Sequence, residues 1–215
     1  MKLAYEKAIK HMAKITNGQS NGISRPVYKG VRHYGNKLSA TDGHRLLYIE
    51  IEDENYKDEI INVKNNEIIE GVYPNIERLF LEDEDIKIIL DTEVIKGIKN
   101  ALACIKSAKY KQVKLMDVNG WWTIKPHEDI KMMHDERLDI SYTIGKRVDG
   151  EPKERVFNLN YLKQAIDFIK DTKSNAQLIM TDNSLAPVQF SDVGYHNDKD
   201  DCNFKYIICP IRIYK

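Results

Sequence analysis

The sequence is poor in cysteine, glycine and proline, and it carries no net charge. Its three cysteines, Cys104, Cys202 and Cys209, are an odd number without a short paired spacing. Neither a disulfide framework nor a zinc site is expected, and reduced thiols in a cytoplasm are the simplest reading. Eleven glycines and six prolines leave little material for a long flexible linker. No run approaches the roughly 18 apolar residues of a membrane span. The first residues, Met1 to Thr16, are amphipathic and charged, unlike a signal peptide. The charge cancels, 33 Lys+Arg against 33 Asp+Glu, which argues against a basic coat or an acidic tail. One basic face can still hide inside a neutral total. What is present is a core: 42% of 215 residues are hydrophobic, enough for one large domain or two small ones.

A strand–helix–strand–strand–strand pattern recurs. Residues 4–15 place Ala4, Ala8, Met12 and Ile15 on one helical face. Extended segments follow from Val27 to Val31, Lys37 to Thr41 and His44 to Ile51, with turns at Gly35-Asn36 and Asp42-Gly43, the latter read as a tight type I′ turn. The pattern returns with a strand at 86–90, a helix at 92–109 capped by Thr92, and strands around an Asn119-Gly120 hairpin and at 137–143. It returns again with a strand at 155–158, a helix at 160–173 and strands at 177–181, 188–191 and 204–211. Residues 53–81 fit no module, holding short strands near Ile60 and Ile68. The expected class is therefore α+β: antiparallel sheets with helices on one face, in three modules.

The string Ala40-Thr41-Asp42-Gly43-His44-Arg45-Leu46, preceded by Arg25-Pro26-Val27, resembles the middle domain of bacterial sliding clamps, the β subunit of DNA polymerase III. Gly71 to Ile76 resembles the segment leading into that family's last domain. Phe157 to Leu162 resembles the start of the last domain's second half, and Tyr206 to Ile213 its closing strand. Four matches in order imply the sliding-clamp fold at about one and a half domains. The expected division is a partial middle-type domain at 1–81 and a complete last-type domain at 82–215. Family members have six modules where three are counted here, so the expectation is a shortened clamp, of phage or mobile-element type. The family's ring closure through its first domain is then not available.

In the family, clients dock a short linear motif between the middle and last domains. The matching positions are Arg25, Tyr28, Thr41, Gly43, His44, Arg45 and Leu46 with Asn158, Tyr161, Val188, Ile207, Cys209, Pro210, Ile211 and Arg212. Leu81 and Ile86 stand where the connecting segment would contribute. An apolar floor of Leu46, Val188, Ile207 and Ile211 would accept Leu or Phe anchors, with polar groups at the rim. The implied partners are DNA polymerase or repair proteins carrying such a motif.

The family's helices face duplex DNA. Here Lys7, Lys10 and Lys14 oppose Glu6 in the first helix; Lys96, Lys99, Lys106 and Lys109 oppose Glu93 in the second; and Lys163, Lys170 and Lys173 oppose Asp167 and Asp171 in the third. The three segments hold a surplus of six positive charges, matched by six negative elsewhere because the total is zero. Lys7, Lys10, Lys14, Lys96, Lys99, Lys106, Lys163 and Lys170 are the candidate contacts to duplex DNA, without base readout. A homo-oligomer could surround DNA; a mimic binding client motifs or a host clamp would not need to. Trp121-Trp122 in a strand should point to opposite faces, one ring core and one exposed. His127, Glu128, Asp129 and His134 match no familiar metal spacing, and His196 and Asp198 to Asp201 read as loop. No nucleophile motif, phosphate loop or carboxylate pair is found, so neither enzyme activity nor a cofactor or metal is expected.

Overall fold

Hydrophobic spacing of 3.6 residues in three segments and near-continuous apolar runs in the strands determine which faces meet. The computed structural model describes residues 5–17, 25–52, 54–81, 86–127, 140–146, 154–173, 175–193 and 203–213. Helix α1 (Tyr5–Thr16) buries Ala8, Met12 and Ile15, as the periodicity requires; Ala4 lies outside the described residues. A 3-10 turn at Pro26–Lys29 follows, where an extended segment is expected from sequence. Pro26 explains the difference, since its fixed φ suits the first position of a helical turn. Strands β1 (Gly30–Gly35), β2 (Lys37–Thr41), β3 (Arg45–Glu50) and β4 (Tyr56–Asn62) complete the first part. The segment that fits no module from sequence thus supplies β4, paired antiparallel to β1.

Strand β5 (Ile86–Leu90), helix α2 (Thr92–Ser107) and strands β6 (Gln112–Val118), β7 (Trp121–His127) and β8 (Tyr142–Lys146) form the second part. Asp91, not Thr92, caps α2 by accepting from the Val94 N–H at 2.8 Å. Strand β9 (Glu154–Asn158), helix α3 (Leu159–Thr172) and strands β10 (Ala176–Met180), β11 (Val188–Asp192) and β12 (Phe204–Ile208) form the third. Asn119 and Gly120 both have positive φ, 54° and 83°, as a type I′ hairpin demands. Trp122 is fully buried and the Trp121 ring is half exposed, as the strand alternation requires.

The second and third parts exchange their first strands. β5 pairs with β10, and β9 pairs with β6. The result is an eight-stranded sheet, β4-β1-β2-β3-β12-β11-β10-β5, and a four-stranded sheet, β8-β7-β6-β9. The large sheet repeats itself about the β3–β12 seam: β4-β1-β2-β3 above α1 mirrors β5-β10-β11-β12 above α3. The helices lie side by side, with α3 between α1 and α2. Gly97 lets β8 approach α2, since a Cβ there would overlap the Tyr142 hydroxyl.

The sheet has two buried faces. Leu38, Ala40, Leu47, Ile49, Val188, Phe190, Tyr206 and Ile208 face the helices in the main core. Leu46, Tyr48, Ile60 and Ile207 face outward, where Val27, Tyr73 and Ile76 cover them in a second core. This is why β3 reads as an uninterrupted apolar run rather than an alternating one.

Two histidines are buried among described residues. His11 lies against Phe168 and 3.0 Å from Asp171 Oδ2; His33 lies 2.9 Å from the Tyr5 hydroxyl. Burial pushes both below the ordinary imidazole value; for His11 the neighbouring Asp171 opposes this without reversing it. Their unfolded value is about 6.5, so below it the unfolded chain binds protons that the folded chain refuses. Stability is therefore fully present above about pH 6.5 and is lost as pH falls towards the folded values, by at most about 1.4 kcal/mol per pH unit for each histidine. Thermal midpoints between about pH 7 and pH 5 should show this slope, and His33→Gln should flatten it; an unchanged slope in that variant would assign the dependence elsewhere.

Candidate functional site

A closed circuit of contacts joins the β2–β3 turn to the end of β12 and the start of α3. The Arg25 carbonyl accepts from the Tyr28 N–H at 2.9 Å, and the Tyr28 ring lies against Gly43. The His44 carbonyl accepts from the Cys209 N–H at 2.8 Å, extending the β3–β12 ladder beyond the strands. The Val156 carbonyl accepts from the Ile211 N–H at 2.7 Å, which brings the chain past Pro210 onto β9. β9 ends in Asn158, whose side chain caps α3 by accepting from the Asn160 and Tyr161 N–H groups. Tyr161 then returns to the turn, its ring centroid 4.2 Å from the Arg45 guanidinium carbon.

Residues from three distant segments thus meet at one place. Arg25, Gly43, His44 and Arg212 are exposed there, and Tyr28, Asn158, Tyr161, Cys209, Pro210 and Ile211 are half-buried. Burial also pushes the Cys209 thiol up, with nearby Asp42 adding to it, so it stays protonated at neutral pH.

The predicted floor divides differently from the sequence expectation. Leu46 and Ile207 are cross-strand partners on the outer face, almost fully covered by the segment from Tyr73 to Phe80. Leu81 is tied to that face by Gln189, whose side-chain amide donates to its carbonyl at 2.9 Å and accepts from its N–H at 3.0 Å. Val188 points the other way, into the main core beside Ile98, Leu162 and Ile166. The reason is register: Gln189, not Val188, is opposite Ile207. Ile86 lies on β5, at the far edge of the large sheet from β3.

Arg45 is also placed differently. Named only as one of the matching pocket positions, it is 3% exposed and its guanidinium is taken up inside the protein. Its Nε donates to Asp42 Oδ2 at 2.9 Å, its Nη2 to the Lys14 carbonyl at 2.8 Å, and its Nη1 to Gln164 Oε1. Asp42 in turn accepts from the His44 and Arg45 N–H groups at 3.0 Å each. Thr41 Oγ1 donates to the Arg45 carbonyl at 2.7 Å and accepts from the Gly43 N–H at 3.1 Å. The turn is therefore not type I′: of the pair Asp42-Gly43 only Gly43 has positive φ, 88°, and side chains hold the rest. Asp42, Gln164 and Gln189, absent from the sequence-based site, organise it.

The helix layer carries less free charge than the sequence implies. Lys109 and Lys173 fall past the helix ends in left-handed conformations. Over the observed spans, α3 is neutral, with Lys163 and Lys170 against Asp167 and Asp171. Asp167 receives Lys163 at 2.6 Å and Lys99 at 3.1 Å. Burial pushes its carboxyl up, and the bonds to Lys163 and Lys99 outweigh that and hold it below the ordinary value. Lys7 donates to the Asp171 carbonyl at 2.6 Å, Lys106 to Asn160 at 3.2 Å, and Lys96 lies 3.6 Å from Glu93. Among the described residues Lys10, Lys14 and Lys170 make no ion pair.

Glu128, Asp129, His134, His196 and residues 198–201 lie outside the described residues. Among the described residues no group of three or more His, Cys, Asp or Glu could hold a metal ion, and no helix is long and apolar enough to cross a membrane.

No family model matches the sequence, and no curated protein does either. Solved structures do match. The Caulobacter crescentus pol III β superposes with a TM-score of 0.69 at 20% identity, covering 97% of this chain and 64% of that one. The Bacillus subtilis DNA polymerase sliding clamp matches at 0.64 and 18%, covering 97% and 63%. The Bartonella birtlesii sliding clamp bound to griselimycin matches at 0.65 and 16%, covering 95% and 64%. Nearly the whole chain thus has the fold of the bacterial DNA polymerase III β sliding clamps, over less than two thirds of a clamp's length.

Proposed function

We propose that this chain is a sliding-clamp-type accessory factor of DNA replication, binding polymerase or repair proteins by a short linear motif and contacting duplex DNA non-specifically. It is read as a partial middle-type domain, 1–81, joined to a last-type domain, 82–215, with no catalytic role. The observation that carries the client site is the circuit of Arg25, Tyr28, Gly43, His44, Cys209, Ile211, Asn158 and Tyr161 around the β3–β12 seam. It presents half-buried apolar surface with exposed polar groups at its edge, the composition of a peptide-binding cleft.

The test is fluorescence anisotropy with a labelled peptide carrying adjacent Leu and Phe anchors. Binding in the micromolar range is expected, with His44→Ala and Arg212→Ala each weakening it about tenfold, on the order of 1.4 kcal/mol. Equal affinity in both variants, or no binding by the wild type, would refute the client site.

A second reading is a mimic that binds clients or a host clamp without surrounding DNA. The neutral α3, whose Asp167 holds Lys99 and Lys163, favours it. Light scattering with and without duplex DNA separates the two, since an assembly that surrounds DNA must be oligomeric.

A further inference from the structure

The first part of the fold repeats the third without the cover that the third receives. Leu162 and Ile166 of α3 close a common interior with Ile98 of α2 and with Leu115 and Ile124 of the four-stranded sheet, and are 5% and 1% exposed. On the sheet side, Gly145 of β8 lies against Ile88 of β5. Lys99 meets Asp167 at 3.1 Å and Lys106 meets Asn160 at 3.2 Å, so α2 and α3 run antiparallel: seven residues forward on one are seven back on the other. Helix α1 matches α3 position by position. Tyr5, Ala8, Ile9, His11 and Met12 correspond to Leu162, Ala165, Ile166, Phe168 and Ile169. The matched rings of His11 and Phe168 meet edge to face, with centroids 5.3 Å apart.

The flank of α1 that corresponds to the α2-covered flank of α3 therefore bears Tyr5 and Ile9. Tyr5 is 39% exposed, and Ile9 and Ala13 are half-buried. Beside them on β4, Tyr56 and Ile61 are half-buried, Ile61 opposite the core residue Val31. Among the described residues no helix or second sheet takes the place of α2 and β8 there. The charges at the rim fit a second copy. Glu6 and Lys10 are exposed one turn apart, and among the described residues neither side chain has a hydrogen bond or ion pair. They correspond to Lys163 and Asp167, and it is Asp167 that receives the lysine of α2. An acid followed one turn later by a base complements itself when a second copy lies antiparallel, each Glu6 within reach of the other copy's lysine. We infer that two copies of this chain pair about a two-fold axis along this flank, α1 antiparallel to its counterpart, so that two first parts cover each other as the second and third parts do. The pairing requires neither a client peptide nor DNA, and it joins the helix layers of both copies into one.

Sedimentation velocity of the full chain is the test, with a dimer expected at micromolar concentrations. Ile9→Glu puts two carboxylates near the axis and should weaken the dimer about tenfold or more. Glu6→Lys and Lys10→Glu each set like charges across the axis and should weaken it about as much. Mixed in equal amounts, these last two variants should recover the dimer as a heterodimer, because every facing pair is then opposite in sign. Glu6 and Lys10 are exposed, so both variants should melt near the wild-type temperature. A wild type that stays monomeric at millimolar concentrations, a dimer indifferent to all three substitutions, or charge variants that remain monomeric when mixed would overturn the inference.

Discussion

Arg45→Ala is expected to cost about 3–5 kcal/mol of folding stability. The Arg45 and Asp42 side chains are 1% and 2% exposed, so their ion pair is out of water. Removing the guanidinium strands a buried carboxylate. It also deprives the Lys14 carbonyl at the end of α1 and the Gln164 amide on α3 of their donor. The two backbone N–H groups that Asp42 keeps soften the loss without replacing the charge. Asp42→Asn combined with Arg45→Met should recover much of it, because removing both members leaves no unpaired ion. Urea unfolding reads both variants. A loss below about 1 kcal/mol in Arg45→Ala would mean that water reaches the carboxylate and that the pair is effectively a surface one.

The same residue shows where reading the sequence alone stops. Local rules worked wherever the determining contact is local. Asn119-Gly120 demands positive φ at both positions and has it; neighbouring Trp121 and Trp122 had to point apart and do. Arg45 was legible as a member of a seven-residue string but not as an interior residue, because Gln164 lies 119 positions further on and Lys14 31 positions back. Arg155 is the same case: buried, with its guanidinium donating to the Thr181 and Asn183 carbonyls, contacts no pattern around 155 announces. The exchange of β5 and β9 is equally non-local. β4 was legible only as a short strand near Ile60 that belonged to no module, because Tyr56 to Asn62 mixes Lys57, Asp58 and Glu59 into its alternation, which suits an edge strand and weakens its signature. The candidate client site was legible as a set of positions; which of them face out was decided by register, as Val188 and Gln189 show.

Register and pairing also govern the charge of the helix layer, and from them comes the second large effect. Asp167→Asn is expected to raise duplex affinity about tenfold at low salt and to steepen its salt dependence. Asp167 lies on the middle helix and holds one lysine of its own helix and one of α2. With both ammonium groups released, up to two more phosphate contacts become possible, each adding about 0.9 to the slope of log affinity against log salt. The stability cost is modest, on the order of 1 kcal/mol, because the lysines are partly solvated. Because Lys163 and Lys99 hold the Asp167 carboxyl below its ordinary value, it contributes stability above about pH 4 that is lost only as pH falls through the folded value. At neutral pH the wild type therefore keeps both lysines engaged, and the comparison with Asp167→Asn isolates them. Filter binding to a random-sequence duplex across a salt series measures affinity and slope together. A folded Asp167→Asn protein with wild-type affinity and slope would show that the layer formed by α1, α3 and α2 does not meet DNA. The mimic reading would then be the one to pursue, since it asks nothing of those lysines.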